Sequence, residues 1–238
     1  MKHPSPRNSV LAVAIVVVTV TGCAAPVSHE PAEVRPAEWP AAPVPASDEK
    51  VWQVEREESE LLVRVDPAGP MARLGHSHVV GGAVLSGRIA TGKGGQSARA
   101  DLEIDVAALE VDRPEWRAQF GLDPELGDEA VSGTRANLLG KRVLDAANFP
   151  TIAIRTVAIA GPDWMPRVTA RIRLRDQVRE IAVPTAVFRT ADRLEAVGRF
   201  EFGHADFGLE PFTAAGGALR VADPIRVRFR IVARTAGG

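Results

Sequence analysis

The chain has 238 residues, of which 45% are hydrophobic and 25% are charged, and its formal net charge is -1. This balance is typical of a globular protein with one domain and a tail. It excludes a strongly basic nucleic-acid-binding protein, which would carry a surplus of lysine and arginine on one face.

The first residues have the layout of a secretory signal peptide. Lys2 and Arg7 provide a positive start, and residues 10–20 are apolar apart from Thr19. The apolar run is shorter than the roughly twenty residues that a transmembrane helix needs. We therefore predict that residues 1–22 form a signal peptide that is removed on export.

The only cysteine, Cys23, follows this run directly, after small residues and before Ala24. This is the position of the lipidated cysteine of a bacterial lipoprotein, so we predict a lipid anchor at Cys23. The alternative is a secreted protein whose cleavage site contains a cysteine. Because Ala24 is not the aspartate associated with inner-membrane retention, the prediction is the periplasmic face of the outer membrane in a Gram-negative cell and the cell surface otherwise. Lipidation leaves no cysteine for a disulfide or a metal site.

Residues 23–50 are predicted to be a tether. Residues 24–50 contain six prolines and many alanines, with no apolar periodicity. Proline removes backbone donors and favours extended conformations, so this stretch separates the membrane from a folded domain over residues 51–238. We predict that Trp39 within it is exposed.

From residue 51 onwards the sequence alternates between apolar and charged residues, which is the pattern of strands with one buried face. The clearest such strands are residues 98–106, 167–175, 193–202 and 225–231. Weaker candidates are residues 51–56, 60–66, 78–90, 151–160 and 178–188. Because parallel sheets have continuous apolar strands instead, this one-sided alternation predicts an all-β, antiparallel sandwich or barrel with charged outer faces.

The one long excursion without strands lies between residues 106 and 151. Its second half predicts a helix that begins at Ser132 or Thr134 and ends at Asn148, ahead of Pro150. A single helix inserted into an antiparallel barrel lies most simply across an open end.

Three segments of the chain resemble YceI-like proteins. They are Arg73-Leu74-Gly75-His76-Ser77-His78-Val79-Val80, the run from Leu144 to Ile154, and Ala205-Asp206-Phe207-Gly208-Leu209. Their order and spacing match over roughly residues 51–235. Ala205 stands where the family has a serine. The resemblance implies a lipocalin-like, extended, up-and-down barrel of about eight antiparallel strands with one helical insertion at an open end.

The resemblance also implies a ligand, a polyisoprenoid or similar long amphiphile held in the barrel. An eight-stranded barrel is just wide enough either to be filled by side chains or to hold one slim ligand. Small inward residues leave room for a tail, and these are Ala98, Ala100, Ala170, Ala196 and Gly198. The predicted tunnel lining is Leu102, Ile104, Val106, Ile152, Ile154, Ile172, Leu174, Phe200, Phe202, Val227 and Phe229. The alternative is a structural or partner-binding barrel with a filled core.

Histidines lie near the predicted tunnel mouth. His76 and His78 are two residues apart, so on a strand their rings share a face about 6 to 7 Å apart. His204 has the inward parity of Phe200 and Phe202. We predict that His76, His78, His204 and Asp206 shape the mouth or contact a polar head group. The alternative is a metal-binding module in which His76, His78 and His204 hold zinc or copper.

No combination of residues predicts catalysis. No G-x-S-x-G motif occurs, and no base and orienting acid can be assigned to Ser77, Ser86 or Ser132. The sequence therefore predicts a binding protein that is not an enzyme and needs no cofactor. The sequence is compatible with a homodimer, although no exposed apolar stripe requires one.

Overall fold

The computed structural model describes residue 39 and residues 44–92 and 97–235. The predicted signal peptide, Cys23 and most of the tether lie outside these residues. The described strands are β1 (Lys50–Val54), β2 (Glu60–Val65), β3 (Pro67–Ala68), β4 (His78–Gly82), β5 (Leu85–Thr91), β6 (Arg99–Asp105), β7 (Glu110–Val111), β8 (Thr151–Ala160), β9 (Arg167–Leu174), β10 (Gln177–Arg189), β11 (Arg193–Phe202), β12 (Thr213–Ala214), β13 (Leu219–Val221) and β14 (Ile225–Thr235). The α-helices are α1 (Pro114–Gln119) and α2 (Asp128–Leu139).

Eight strands close an antiparallel barrel in the order β1-β5-β6-β8-β9-β10-β11-β14, and β14 pairs back with β1. This confirms the predicted fold class. The C-terminal end of β14 pairs with β1, whereas its N-terminal half pairs with β2. The pairs β2–β4 and β4–β7 therefore extend the barrel at one end, which we call the mouth. A small sheet of β12, β13 and β3 also lies at this end.

The predicted 78–90 strand is two strands, β4 and β5. Gly82, the last residue of β4, adopts a φ of 141°, a conformation that side-chain-bearing residues rarely adopt. Val84 in the break is 1% exposed, so the chain turns inward there. The predicted strand is therefore divided by this break in the backbone. Its first half, β4, pairs with β2, and its second half, β5, pairs with β1.

Two helices replace the single helix that the sequence predicts. Helix α2 begins at Asp128, with Asp128 and Glu129 in its first turn, where carboxylates interact favourably with the helix dipole. It ends before Gly140, whose backbone is extended, and therefore does not reach Asn148. Thr134, Asn137 and Leu138 of α2 line the barrel cavity, so this helix lies at the mouth.

Helix α1 packs on the outside of the barrel. Its Trp116 is 5% exposed and forms a small second core with Leu62 of β2 and Val79 of β4, both fully buried. Leu62 and Val79 have the outward parity of their strands, because their neighbours Leu61 and Val80 line the cavity. No helix in the described part of the chain is long and apolar enough to cross a bilayer.

The outer faces carry cross-strand ion pairs. Arg155 of β8 pairs with Asp101 of β6 at 2.5 Å, and Arg171 of β9 pairs with Glu180 of β10 at 2.5 Å. Trp39, predicted to be exposed, is instead partly buried under the guanidinium groups of Arg155 and Arg173, which lie 4.9 and 4.7 Å from its ring centre. A cation over an aromatic ring is attracted by the ring quadrupole, so the tether contacts the barrel wall at Trp39.

Candidate ligand-binding site

The barrel encloses a cavity of about 480 Å³ that opens at the mouth. We call it the mouth cavity. Its walls are mainly inward-facing apolar side chains from β2, β6, β8, β9, β11 and β14, and the interior of the barrel is not filled. This volume lies within the range of about 300 to 1,000 Å³ that small-molecule sites occupy.

Most of the predicted tunnel lining faces this cavity. The predicted residues that line it are Leu102, Ile104, Ile152, Ile154, Ile172, Leu174, Phe200, Phe202, Val227 and Phe229. Val106 does not line it, because it follows the end of β6 and packs into the core, where it is 1% exposed.

A second cavity of about 300 Å³ lies beyond the first, toward the loop that joins β8 to β9. We call it the far cavity. Ala98, Ala196 and Trp164 are among its lining residues, while Ala170 lines only the mouth cavity. Ala100 lines both. The four predicted small alanines are therefore distributed along the bore, whereas Gly198 lines neither cavity.

His78 is held by a buried carboxylate at the mouth. Its Nδ1 lies 2.6 Å from Oδ2 of Asp112, whose side chain is 0% exposed. Because a carboxylate can only accept, Nδ1 carries the proton and Nε2 is the acceptor in the neutral ring. The hydroxyl of Thr134 lies 3.4 Å from Nε2. The ring of His76 is 6.3 Å from that of His78, as the two-residue spacing predicts, and both rings line the mouth cavity.

Asp112 also anchors helix α1. Its Oδ1 accepts hydrogen bonds from the backbone N–H of Val79 at 2.9 Å and from the buried guanidinium of Arg117 at 2.8 Å. Arg117 donates further to the carbonyls of Ser77 at 2.8 Å and Asp123 at 2.5 Å. The sequence analysis missed this cluster. Its available signal was an acid and an arginine flanking the apolar Trp116 in a segment without strand periodicity.

Burial raises the pKa of Asp112, but hydrogen bonds from His78, from the backbone N–H of Val79 and from Arg117 outweigh it, so the pKa lies below its usual range. The same balance acts on Asp66 at the mouth. Burial raises the pKa of Asp66, but hydrogen bonds from Ser77 and Arg64 lower it by more, so this pKa also lies below its usual range. Both carboxylates are therefore ionised at neutral pH.

His204 also points its ring into the mouth cavity, from the turn after β11. Its Nδ1 donates to Oδ1 of Asp223 at 2.6 Å, and its backbone N–H donates to the same oxygen at 2.9 Å. Asp206 is placed differently. Its carboxylate accepts the backbone N–H of Gly203 at 2.7 Å and caps the short helical turn His204–Phe207, and it is not among the cavity-lining residues.

The three histidines do not form a metal centre. Over the described residues, no group of three or more His, Cys, Asp or Glu side chains is placed to hold a metal ion. The three-histidine site, the alternative that the sequence leaves open, is therefore wrong for the described part of the chain. The Nδ1 atoms of His78 and His204 are directed at separate aspartates.

The mouth is completed by residues that were not predicted as site residues, although two of them, Leu74 and Leu209, lie in the segments that resemble YceI-like proteins. They come from the segments before β4 and after β11, and they are Leu74, Leu209, Phe212 and Leu219. These segments have no periodicity, so for Phe212 and Leu219 the only available signal was an isolated apolar residue. Leu74 is 60% exposed, which places an apolar side chain at the rim.

A family model and one solved structure agree with this architecture. The model of the YceI-like domain matches residues 52–233. The crystal structure of Burkholderia cenocepacia BcnA is similar with a TM-score of 0.56 at 17% identity, over 75% of this chain and 98% of that chain. The crystal structure of a Campylobacter jejuni YCEI protein is 12% identical, over 64% of this chain and 81% of that chain, with a TM-score of 0.48. No curated protein matches the chain.

The family match spans the whole barrel, from the strand that opens it to the strand that closes it. The chain therefore belongs to the YceI-like domain family, whose barrels bind hydrophobic ligands.

Proposed function

We propose that this protein holds or carries a polyisoprenoid or similar long amphiphile inside its barrel, without catalysing a reaction on it. The observation that carries the proposal is the open, apolar mouth cavity of about 480 Å³. The apolar tail occupies the cavity, and the polar head lies at the mouth near His76, His78 and His204.

Hydrophobic burial alone accounts for tail binding. Each methylene moved from water into an apolar site contributes about 0.8 kcal/mol. Part of this gain offsets the loss of translational and conformational freedom on association. A tail of several isoprene units therefore binds without a catalytic group, and the histidine rings at the mouth provide polar groups that can hydrogen-bond a head group.

We also propose that the barrel is attached to a membrane through lipidated Cys23, on the periplasmic face of the outer membrane in a Gram-negative cell. The support is the sequence around Cys23 and the proline-rich stretch that follows it. A Cys23→Ser variant is expected to lose lipid labelling and to move from the membrane fraction to the soluble fraction. Equal membrane partition of both proteins would contradict the anchor.

Ligand retention tests the binding proposal directly. Native mass spectrometry of the mature protein, purified without detergent, is expected to show a bound species of a few hundred daltons or more. Protein that arrives empty is expected to take up an isoprenoid quinone added in solution. Empty protein with no uptake would contradict the proposal.

Filling the cavity is expected to abolish this binding. Ala170 faces the mouth cavity from β9, so Ala170→Phe places a ring in the ligand space. We expect at least a tenfold loss in affinity, equal to about 1.4 kcal/mol, measured by quinone titration. The matched control is Ala182→Phe, at an exposed position of the neighbouring β10, which is expected to bind as the wild type does. Equal binding by both variants would place the ligand outside the barrel.

A further inference from the structure

Binding of an amphiphile in the mouth cavity leaves the far cavity without a function. It lies beyond the mouth cavity along the bore and is lined mainly by apolar residues, including Ile89, Ile159, Val187, Leu194 and Ala196. Asp163 and Trp164 of the β8–β9 loop line its outer end, and Trp164 is 69% exposed there. Such a space fits an apolar chain far better than a polar group.

One ring of residues belongs to both cavities. Its members are Ala100, Leu102, Thr156, Val168, Thr185, Phe229 and Ile231. They come from five strands, so the ring runs around the bore at one level. Phe229 is the bulkiest member of this ring.

Phe229 occupies space that Gly198 leaves free. The two residues are directly paired across β14 and β11. A Cβ built on Gly198 would lie 2.5 Å from Cζ and 2.8 Å from Cε1 of the Phe229 ring. The ring therefore lies against bare backbone at the barrel wall, and any side chain at position 198 would displace it. The same Cβ would lie 2.9 Å from the carbonyl oxygen of Pro184, so it could not move away from the ring in that direction.

We propose that the far cavity is a second compartment, which takes the distal end of a long prenyl chain, and that the Phe229–Gly198 pair controls passage into it. This rests on the proposed function, since it requires a tail in the mouth cavity. A short chain ends in the mouth cavity, whereas a long chain passes the ring of Phe229 and continues into the far cavity. The pair thus determines which chain lengths gain affinity.

The test is the dependence of affinity on chain length. Geraniol, farnesol, geranylgeraniol and solanesol are titrated in turn, and the dissociation constants of wild type, Gly198→Ala, Phe229→Ala and the double variant are compared. In the wild type, affinity is expected to rise along the series, because each further buried methylene strengthens binding by up to about fourfold.

Gly198→Ala is expected to push the ring into the bore. Short prenols should bind as they do to the wild type, while the longest lose at least tenfold in affinity. The double variant, Gly198→Ala with Phe229→Ala, removes the displaced ring and is expected to restore long-chain binding. This rescue separates passage from general damage to the barrel.

Two failures are distinguishable. If the wild type binds no prenol of any length, the proposed function fails. If the wild type binds but Gly198→Ala changes short and long chains equally, or changes neither, the two-compartment proposal is overturned. If Gly198→Ala does not fold, Phe229→Ala provides the test. This variant is expected to bind the longest prenols more tightly than the wild type does. An unchanged dependence of affinity on chain length would overturn the proposal.

Discussion

Replacing Asp112 by alanine is expected to remove about 3–5 kcal/mol of folding stability, the cost of breaking one partner out of a buried ion pair. The Asp112 carboxylate is fully buried and holds Arg117, His78 and the backbone of Val79 together. Without it, the Arg117 guanidinium stays buried with no opposite charge. Since folded domains are stable by only about 5–15 kcal/mol, chemical denaturation should report a large shift in midpoint.

The control for this prediction is an ion pair at the surface. Glu180 pairs with Arg171 across β9 and β10, and its side chain is 45% exposed. Exposed pairs contribute about 0–1 kcal/mol, so Glu180→Ala should unfold close to the wild-type midpoint. A similar loss in the free energy of unfolding from Asp112→Ala and Glu180→Ala would show that burial of the ion pair does not make it more important for stability than a surface pair.

The pH dependence of stability follows from the same carboxylate. Its folded-state pKa lies below the unfolded value of about 3.9. The stabilisation is therefore fully present above that unfolded value and is lost as pH falls through the folded pKa. Wild type should lose stability on acidification in this window, and Asp112→Asn, which cannot titrate, should lose less.

Replacing Trp116 by alanine is expected to cost a similar amount, about 3–5 kcal/mol, which is typical of removing a large buried aromatic side chain. Among the described residues, Trp116 is the buried side chain through which helix α1 joins the small core with Leu62 and Val79, and the partly buried Phe120 and Leu122 pack against that core. Its loss exposes two outward-facing apolar residues on β2 and β4. Chemical denaturation should show a lower free energy of unfolding than that of the wild type. Relative to the wild type, amide hydrogen exchange should accelerate more in α1 than in β9 and β10.

Trp164 provides the matched control, because it is the same residue type at a site that is 69% exposed. Surface substitutions usually change stability by no more than about 0.5 kcal/mol, so Trp164→Ala should leave the denaturation midpoint nearly unchanged. If exchange in Trp116→Ala accelerates as much in β9 and β10 as in α1, this would contradict a local role for α1.

The barrel strands could be predicted from the sequence because one face of each meets apolar neighbours and the other meets water. β8, for example, spans residues 151–160, as the alternation predicts. The same alternation placed Ile154 and Ile172 on the cavity wall. Period-two patterns report side-chain direction directly, and a closed antiparallel sheet converts that direction into inside and outside.

Contacts that depend on tertiary packing could not be predicted in this way. Leu62 and Val79 have outward parity, yet α1 buries them, and no local pattern records which helix covers which face. Trp39 lies in a segment without periodicity, and its position depends on Arg155 and Arg173, far away in sequence. The buried charges of Asp112 and Arg117 were missed for the same reason, since isolated charged residues are usually solvated.

Strand β14 has a consequence for how the chain reaches its native state. It pairs with β1, β2 and β11, so the last strand of the described residues closes the ring that β1 begins. Ring closure therefore requires contacts between opposite ends of the polypeptide, which slow folding because the intervening loop entropy must be lost first. Until the C-terminal strand arrives, β1, β2 and β11 present unpaired edges that are prone to aggregation. A chain truncated before Ile225 cannot complete its barrel.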